Sequence, residues 1–340
     1  MGGAPYLTET VDIPFPQFSA DGKRVNELFA KVIAQKLEDY RIKITPSQTG
    51  FTLGVKGLPA QVESPPPRSD ANDPKRGPRS FAFCLSCEPE KASIAECNYE
   101  GGEEKRGPPG GLPANLRRLT ASNCLLKHHP QLMTAFTDSW LDAQARPLII
   151  VTPKRHVGGM EEMNETEIAD LWCVVGSVIK QFGGSGPEPR FKEIVLNAGK
   201  FRNIAHAHVK VWFEDEPFLD QVERCWSTDE RTLFEQLHEL RRLMKLPRED
   251  ALRKEMGGDL TNVRIFVKGT FRSHDRTELL SKFSQFGAVS SVELLGADGT
   301  EGVVVSMQHG EDAIQAIIAL NLTRFGRNIM CKVKVAAGLK

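Results

Sequence analysis

The clearest periodicity in the chain runs through residues 164–184, NETEIADLWCVVGSVIKQFGG. Ile168, Leu171, Val175, Val178 and Ile179 recur at three- and four-residue spacing, which lays one apolar stripe along a helix. Asn164 with Glu167 three positions on predicts a capping box, and Gly183 with Gly184 predicts the stop. Around this helix the pattern is that of strands. PLIIVTPKRHV reads as a buried strand ended by Pro153, FKEIVLNAG as a second, and AHAHVKVWF as a third. STDERTLFEQLHELRRLM predicts another helix, opened by a Ser227–Glu230 capping box, with Leu233, Phe234, Leu237, Leu240 and Met244 on one side. Nearer the start, VNELFAKVIAQKL reads as a helix, and YRIKI and GFTLGV as alternating strands.

From residue 261 the texture changes. VRIFVKG, a helix around Thr277–Phe286, AVSSVELLG, EGVVVSM, a helix over Glu311–Leu320 and IMCKVKV give the order β-α-β-β-α-β, the ferredoxin-like arrangement. Asp298-Gly299 supplies a hairpin turn between the two middle strands. The expected class is therefore α+β, a mainly antiparallel domain followed by a ferredoxin-like one. Two Pro-rich polar stretches punctuate the chain. LPAQVESPPPRSDANDPKRGPR is too polar to fold alone and reads as a linker, and EGGEEKRGPPGGLPA as a loop insertion inside a domain. The expected organisation is an unassigned α/β module over 1–57, a linker over 58–80, a domain over 81–220 with its insertion at 99–114, a helical connector over 221–258, and the last domain over 261–340.

Bulk properties narrow the setting. The 340 residues carry 44 Lys and Arg against 44 Asp and Glu, so net charge points to neither nucleic acid nor an acidic surface. No apolar run reaches the ~20 residues of a membrane span, and the first residues lack a secretory core or an Arg/Ser-rich leader. Seven scattered cysteines suit a reducing compartment, with thiols free or metal-bound. A cytoplasmic or nuclear location is expected, and a mitochondrial one stays open.

The chemistry concentrates in RNIAHAHVKVWF. On a strand His206, His208 and Lys210 would share one face, with Ala207, Val209 and Val211 on the other. Taken alone this reads equally as an exposed polar edge. Together with PLIIVTPKRHV, the capped helix and Asn197-Ala198-Gly199, it resembles the histidine triad (HIT) family of nucleotide hydrolases and transferases over roughly residues 81–215. The resemblance implies a nucleotide or nucleotidylated substrate and His208 as nucleophile. It implies phosphate contacts from Asn197 and Gly199, and homodimers are common in the family. The third triad position holds Lys210, and Arg202 and Asn203 stand where the family has Gln-Ser/Thr. A lysine supplies positive charge, and acts as an acid–base group near neutral pH only if burial lowers its pKa strongly.

Cys84-x-x-Cys87, in FAFCLSCEP, reads on its own as a redox pair, half of a zinc site or two buried thiols. A branch of the HIT family binds zinc through such a pair together with the histidine of Pro-Lys-x-His and the first triad histidine. The resemblance thus implies a structural zinc on Cys84, Cys87, His156 and His206, leaving His208 for chemistry. Cys97, Cys124, Cys173, Cys225 and Cys331 lack any such spacing, and His128-His129 reads as a polar loop.

Residues 261–340 resemble an RNA-recognition motif (RRM). IFVKGT matches the first-strand motif with Phe266 at the aromatic position. In EGVVVSM, Gly302 keeps its place but Val303 and Val305 stand where aromatics belong. Ten Lys and Arg against seven Asp and Glu make this region mildly basic. Phe266, Lys332, Lys334 and Lys340 are the candidate RNA contacts, the lysines reading equally as ordinary surface. Two functions remain: a HIT-type nucleotide hydrolase or transferase linked to RNA or a ribonucleoprotein, or a non-catalytic zinc-stabilised subunit of an RNA-processing assembly. Splicing-associated lariat factors of the HIT family carry a similar CxxC.

Overall fold

A computed structural model of the chain describes residues 7–14, 37–46, 50–59, 84–97, 111–183, 190–198, 204–257, 261–296, 299–326 and 328–336. They divide into two compact units. One takes the described residues before 98 and those of 114–235. The other takes residues 236–336 with the short piece 111–113. The architecture is α+β, with one antiparallel sheet in each unit.

The first unit is built on a seven-stranded sheet. Its strands are β1 (Leu7–Pro14), β2 (Leu37–Pro46), β3 (Gly50–Pro59), β4 (Thr137–Leu141), β5 (Leu148–Pro153), β6 (Glu193–Asn197) and β7 (Val209–Trp212), in the order β1-β3-β2-β6-β7-β5-β4. Every pairing is antiparallel. Residues 1–57 were expected as a separate module. Instead β2 pairs with β6, from Arg41–Asn197 to Ile44–Ile194, so β1–β3 extend the same sheet. The expected helix over 25–36 lies outside the described residues, and Leu37 already begins β2.

Directly paired residues share a sheet face, which sorts the side chains into two sets. Ile42, Leu196, Val209 and Val151 form one row across four strands, and Ile44, Ile194, Val211 and Ile149 the next. All eight are buried. Helix α1 (Glu165–Phe182) covers this face with Leu171, Val175, Val178 and Ile179. Its capping box forms as expected: Glu167 N–H donates to Asn164 Oδ1 at 2.9 Å, and Asn164 N–H to Glu167 Oε2 at 3.0 Å. The Arg155 guanidinium also clasps Glu167, and this pair with the Asn164 N–H holds the carboxyl down at about 2. Helix α2 (Asp215–Cys225) and the start of α3 (Thr228–Met244) close the unit through a cluster of Phe182, Phe213, Phe218, Trp226 and Phe234. Residues 221–225, expected to open a connector, therefore belong to a helix of the first unit.

The opposite sheet face carries Arg41 beside Asn197, and Lys43, Val195, Lys210, Ile150 and Trp140 in one row. The third expected strand is shorter than its apolar alternation suggests. β7 starts at Val209, and residues 204–208 form a bend held by Ala207 N–H on the Val157 carbonyl at 2.8 Å. His206 and His208 therefore precede the strand. Nor are they exposed, at 1% and 5% accessibility.

The second unit holds α4 (Glu249–Met256), β8 (Thr261–Lys268), α5 (Asp275–Ser284), β9 (Val289–Leu295), β10 (Gly302–His309), α6 (Gly310–Leu320), β11 (Thr323–Phe325) and β12 (Asn328–Val335). The sheet order β11-β12-β8-β10-β9 is the ferredoxin-like order with one short added edge strand. Ile265, Val267, Val303 and Val305 face a core shared with Leu279, Phe283, Ile314 and Ile317 of the helices.

Removing the α1 cap by Asn164→Ala is expected to lower stability by about 1 kcal/mol, read from urea unfolding. An unchanged midpoint and slope would show that the cap contributes nothing.

Candidate metal centre and cleft

Three separate segments deliver four metal-ligating side chains to one point. Cys84 and Cys87 stand on a tight turn closed by Glu88 N–H on the Cys84 carbonyl at 2.9 Å. His156 follows β5, and His206 stands in the bend before β7. The donor atoms of Cys84, Cys87, His156 and His206 all lie within 4.8 Å of one another, a cluster able to hold a metal ion. His206 Nδ1 is 3.3 Å from Cys84 Sγ and 3.7 Å from Cys87 Sγ, and His156 Nδ1 is 3.5 Å from Cys87 Sγ. An ion held tetrahedrally at ~2.3 Å from sulfur and ~2.0 Å from nitrogen needs S···N edges of about 3.5 Å. The donor set has that size.

Protonation states agree with this use. His206 Nε2–H donates to the Pro153 carbonyl at 2.8 Å, which leaves the lone pair on Nδ1, facing the thiols. Burial pushes the His206 pKa down to about 4, so the ring is neutral. Burial and the adjacent Cys84 push the Cys87 thiol up to about 11, so two thiolates here need a cation to balance them.

His206 also reaches the next residue of interest. Its carbonyl accepts the Nδ1–H of His208 at 2.8 Å. In the neutral ring the His208 lone pair is then on Nε2. His208 and Lys210 line one cleft of about 150 Å³, with Trp140, Asp142, Gln144, Arg146 and Thr152 among its walls. Trp140 Nε1–H donates to Thr152 Oγ1 at 2.7 Å, and Cys124, a buried thiol expected as core or bystander, also lines the cleft. Burial pushes the Lys210 ammonium down to about 8, with the Arg146 charge acting the same way and Asp142 opposing. That is the strong lowering a lysine needs to exchange protons near neutral pH.

Asn197, at the end of β6, is buried and accepts Arg41 Nε–H at 2.9 Å. Gly199, Arg202 and Asn203 lie outside the described residues. Sequence reasoning passed over Arg41, Asp142 and Arg146. Asp142 accepts Arg146 Nε–H at 2.7 Å and Nη2–H at 2.8 Å, and the guanidinium lies 4.9 Å from the Trp212 ring centre. The four-residue spacing of Asp142 and Arg146 was the available signal. His129, expected in a polar loop, is buried with Gln181 at 2.6 Å and Glu230 at 3.2 Å.

In the second unit the β8–β10 register corrects the expected positions. Phe266 faces Val304, while Val303 and Val305 pair with Val267 and Ile265 of the core. The sheet face carrying Phe266 therefore holds Ser306 and Arg264, with Val304 buried beneath. Lys334 Nζ lies 5.6 Å from the Phe266 ring centre, and Lys332 is exposed opposite Lys268 on β12. Lys340 lies outside the described residues.

No family model matches the chain, and a comparison with curated proteins finds no match. Among solved structures it is similar to a uridylyltransferase, at 18% identity over 68% of this chain and 69% of that one, with a TM-score of 0.35. It is similar to a GalT-like protein from Arabidopsis thaliana, at 11% identity over 58% and 57%, with a TM-score of 0.32. It is also similar to the three N-terminal RNA-binding domains of the yeast splicing factor Prp24, at 11% identity over 97% of each chain, with a TM-score of 0.20.

Purified protein is expected to carry one equivalent of divalent metal by elemental analysis. Cys87→Ser or His206→Ala should abolish it and cost several kcal/mol, about 10 °C in the melting of the first unit. Full metal content in both variants would place the ion elsewhere.

Proposed function

We propose that this chain is a zinc-stabilised, HIT-like nucleotide-binding protein in which His208 faces a nucleotide phosphate. The observation that carries this reading is the tautomer of His208: its Nδ1–H is spent on the His206 carbonyl, so its lone pair is on Nε2, in a ring that lines the cleft with Lys210. Two thiolates and two imidazoles are the donor set of a closed structural zinc, which holds the bend before β7 in place. On this reading His208 Nε2 attacks the α-phosphorus, a P–N bond forms, and the bond to the leaving oxygen breaks. Lys210 gives that oxygen a proton or steadies its charge. Water then attacks phosphorus, the P–N bond breaks, and the imidazole is restored. Asn197, Gly199, Arg202 and Asn203 are the proposed phosphate neighbours, and two copies pairing through this unit is part of the same reading.

The second unit is proposed as the RNA- or ribonucleoprotein-directed part, through Phe266, Lys332 and Lys334. Its weakness is chemical. Each base stacked on an aromatic ring is worth ~1–3 kcal/mol, and on the strands β8 and β10 the face of Phe266 adds Val304 and Ser306 rather than further rings. That composition, with Lys210 in place of a third imidazole, favours the alternative of a non-catalytic, zinc-stabilised assembly subunit.

Incubation of the metal-loaded chain with adenylated and guanylated substrates separates the two. The enzyme reading expects nucleotide release and a trapped covalent adduct by intact mass, both lost in His208→Ala. Nucleotide binding without release or adduct supports the non-catalytic reading, and absence of binding removes both the substrate and the role of His208. Phe266→Ala is expected to weaken single-stranded RNA binding about tenfold in a fluorescence titration. An unchanged affinity would move any RNA contact off this sheet face.

A further inference from the structure

Beside His208 the sheet places three cations that come from distant parts of the chain. Lys210 is on β7, Arg41 on β2, and Arg146 in the turn between β4 and β5. The face assignment follows from register. Arg41 pairs with Asn197, two residues along from Val195, which pairs with Lys210, so both cations are on the face opposite α1. β2 and β7 are separated by β6 alone, about 10 Å of backbone, a gap that two long side chains span. The Arg146 and Arg41 charges are each close enough to act on Lys210.

Two of the three have side-chain partners, although Arg41 itself is exposed. Arg146 is forked onto Asp142 and lies over Trp212, and Arg41 is tied to Asn197. Asp142, an acid whose charge acts on Lys210, is already engaged by this fork and by the backbone N–H groups of Gln144 and Arg146. Glu193, on the same face, pairs with Lys43 at 2.5 Å. Lys210 is different: among the described residues none bonds to its ammonium. Asp142 offsets one of the three charges, and the positive excess that remains around the half-buried Lys210 is relieved when a further anion resides there. The guanidinium N–H groups not used in these bonds, beside a compact ammonium, suit a chain of phosphate groups more than a single one.

We infer that Lys210, Arg146 and Arg41 form a second anion subsite beside His208, so that the ligand is an oligophosphate such as a nucleoside di- or triphosphate. The nucleotide part rests on the function proposed above, and the anion subsite does not. Its charge state has a signature. The groups facing Lys210 are Arg146 and Asp142 from the β4–β5 turn, Arg41 from β2 and His208 from its own segment. With its pKa lowered to about 8, Lys210 carries full charge below that pH and loses it above. ATP affinity should fall as pH rises through 8, a range in which the ATP phosphates are already ionised.

The test is calorimetric titration of the metal-loaded full chain with inorganic phosphate, tripolyphosphate, AMP and ATP. The expected result is that tripolyphosphate binds at least tenfold more tightly than phosphate, and ATP at least tenfold more tightly than AMP. Lys210→Gln and Arg41→Gln should each remove most of that ratio while circular dichroism and metal content stay unchanged. Lys210→Arg should keep the affinity and flatten its pH dependence. Equal binding of AMP and ATP, with no effect of the charge variants, overturns the subsite and leaves the nucleotide reading standing. Tripolyphosphate binding without nucleotide binding supports the subsite and removes that reading. Should a variant not fold, the wild-type ATP-to-AMP ratio and its pH profile decide alone: a ratio near one, or no fall through pH 8, overturns the subsite.

Discussion

His206 is the residue on which the rest of the site depends, because each of its polar ends is used. Its Nδ1 faces the two thiols, its Nε2–H is fixed on the Pro153 carbonyl, and its own carbonyl fixes His208. A buried imidazole with all partners set has one orientation and one tautomer. The metal cluster, the end of β5 and the ring at the cleft are thereby linked through a single side chain and its backbone. Disturbing the cluster should be felt at His208, although His208 is no part of it.

The sheet explains how a cluster assembled from segments beyond the strand ends is still positioned. One face is a continuous apolar layer under α1. That layer fixes the strand register, since a slip by one residue would turn Ile42, Leu196, Val209 and Val151 outward. Register in turn decides the opposite face, where Arg41 meets Asn197 and Lys210 falls two strands from Lys43. The polar face thus inherits its precision from apolar packing on the other side.

How much of this could be read from the sequence varies with the physics of each part. Cys84, Cys87, His156 and His206 were legible because the residue types are scarce and the resemblance named their spacing; the structure brings the four together. The α1 capping box and the β-α-β-β-α-β order were legible because they are local. β4 was not, because Thr137 and Ser139 are its fully buried positions and their polarity hides the alternation. Thr137 Oγ1–H donates to Asp170 of α1 at 2.6 Å, which is how a hydroxyl can face the core. The Val303–Val305 run carries no alternation at all, so its facing could be assigned only from the strand beside it. Arg41 was invisible for a third reason: its partner Asn197 is 156 positions away.

The most direct test of this account is a nitrogen-detected NMR measurement of the imidazole tautomers of His206 and His208 in metal-loaded and metal-stripped protein. The two rings should carry opposite tautomers in the loaded chain: His206 protonated on Nε2 with Nδ1 on the metal, and His208 protonated on Nδ1 with an unprotonated Nε2. Removing the metal should release both. A His208 ring protonated on Nε2, or one whose state ignores the metal, would contradict the claim that the cluster sets the chemistry of the cleft.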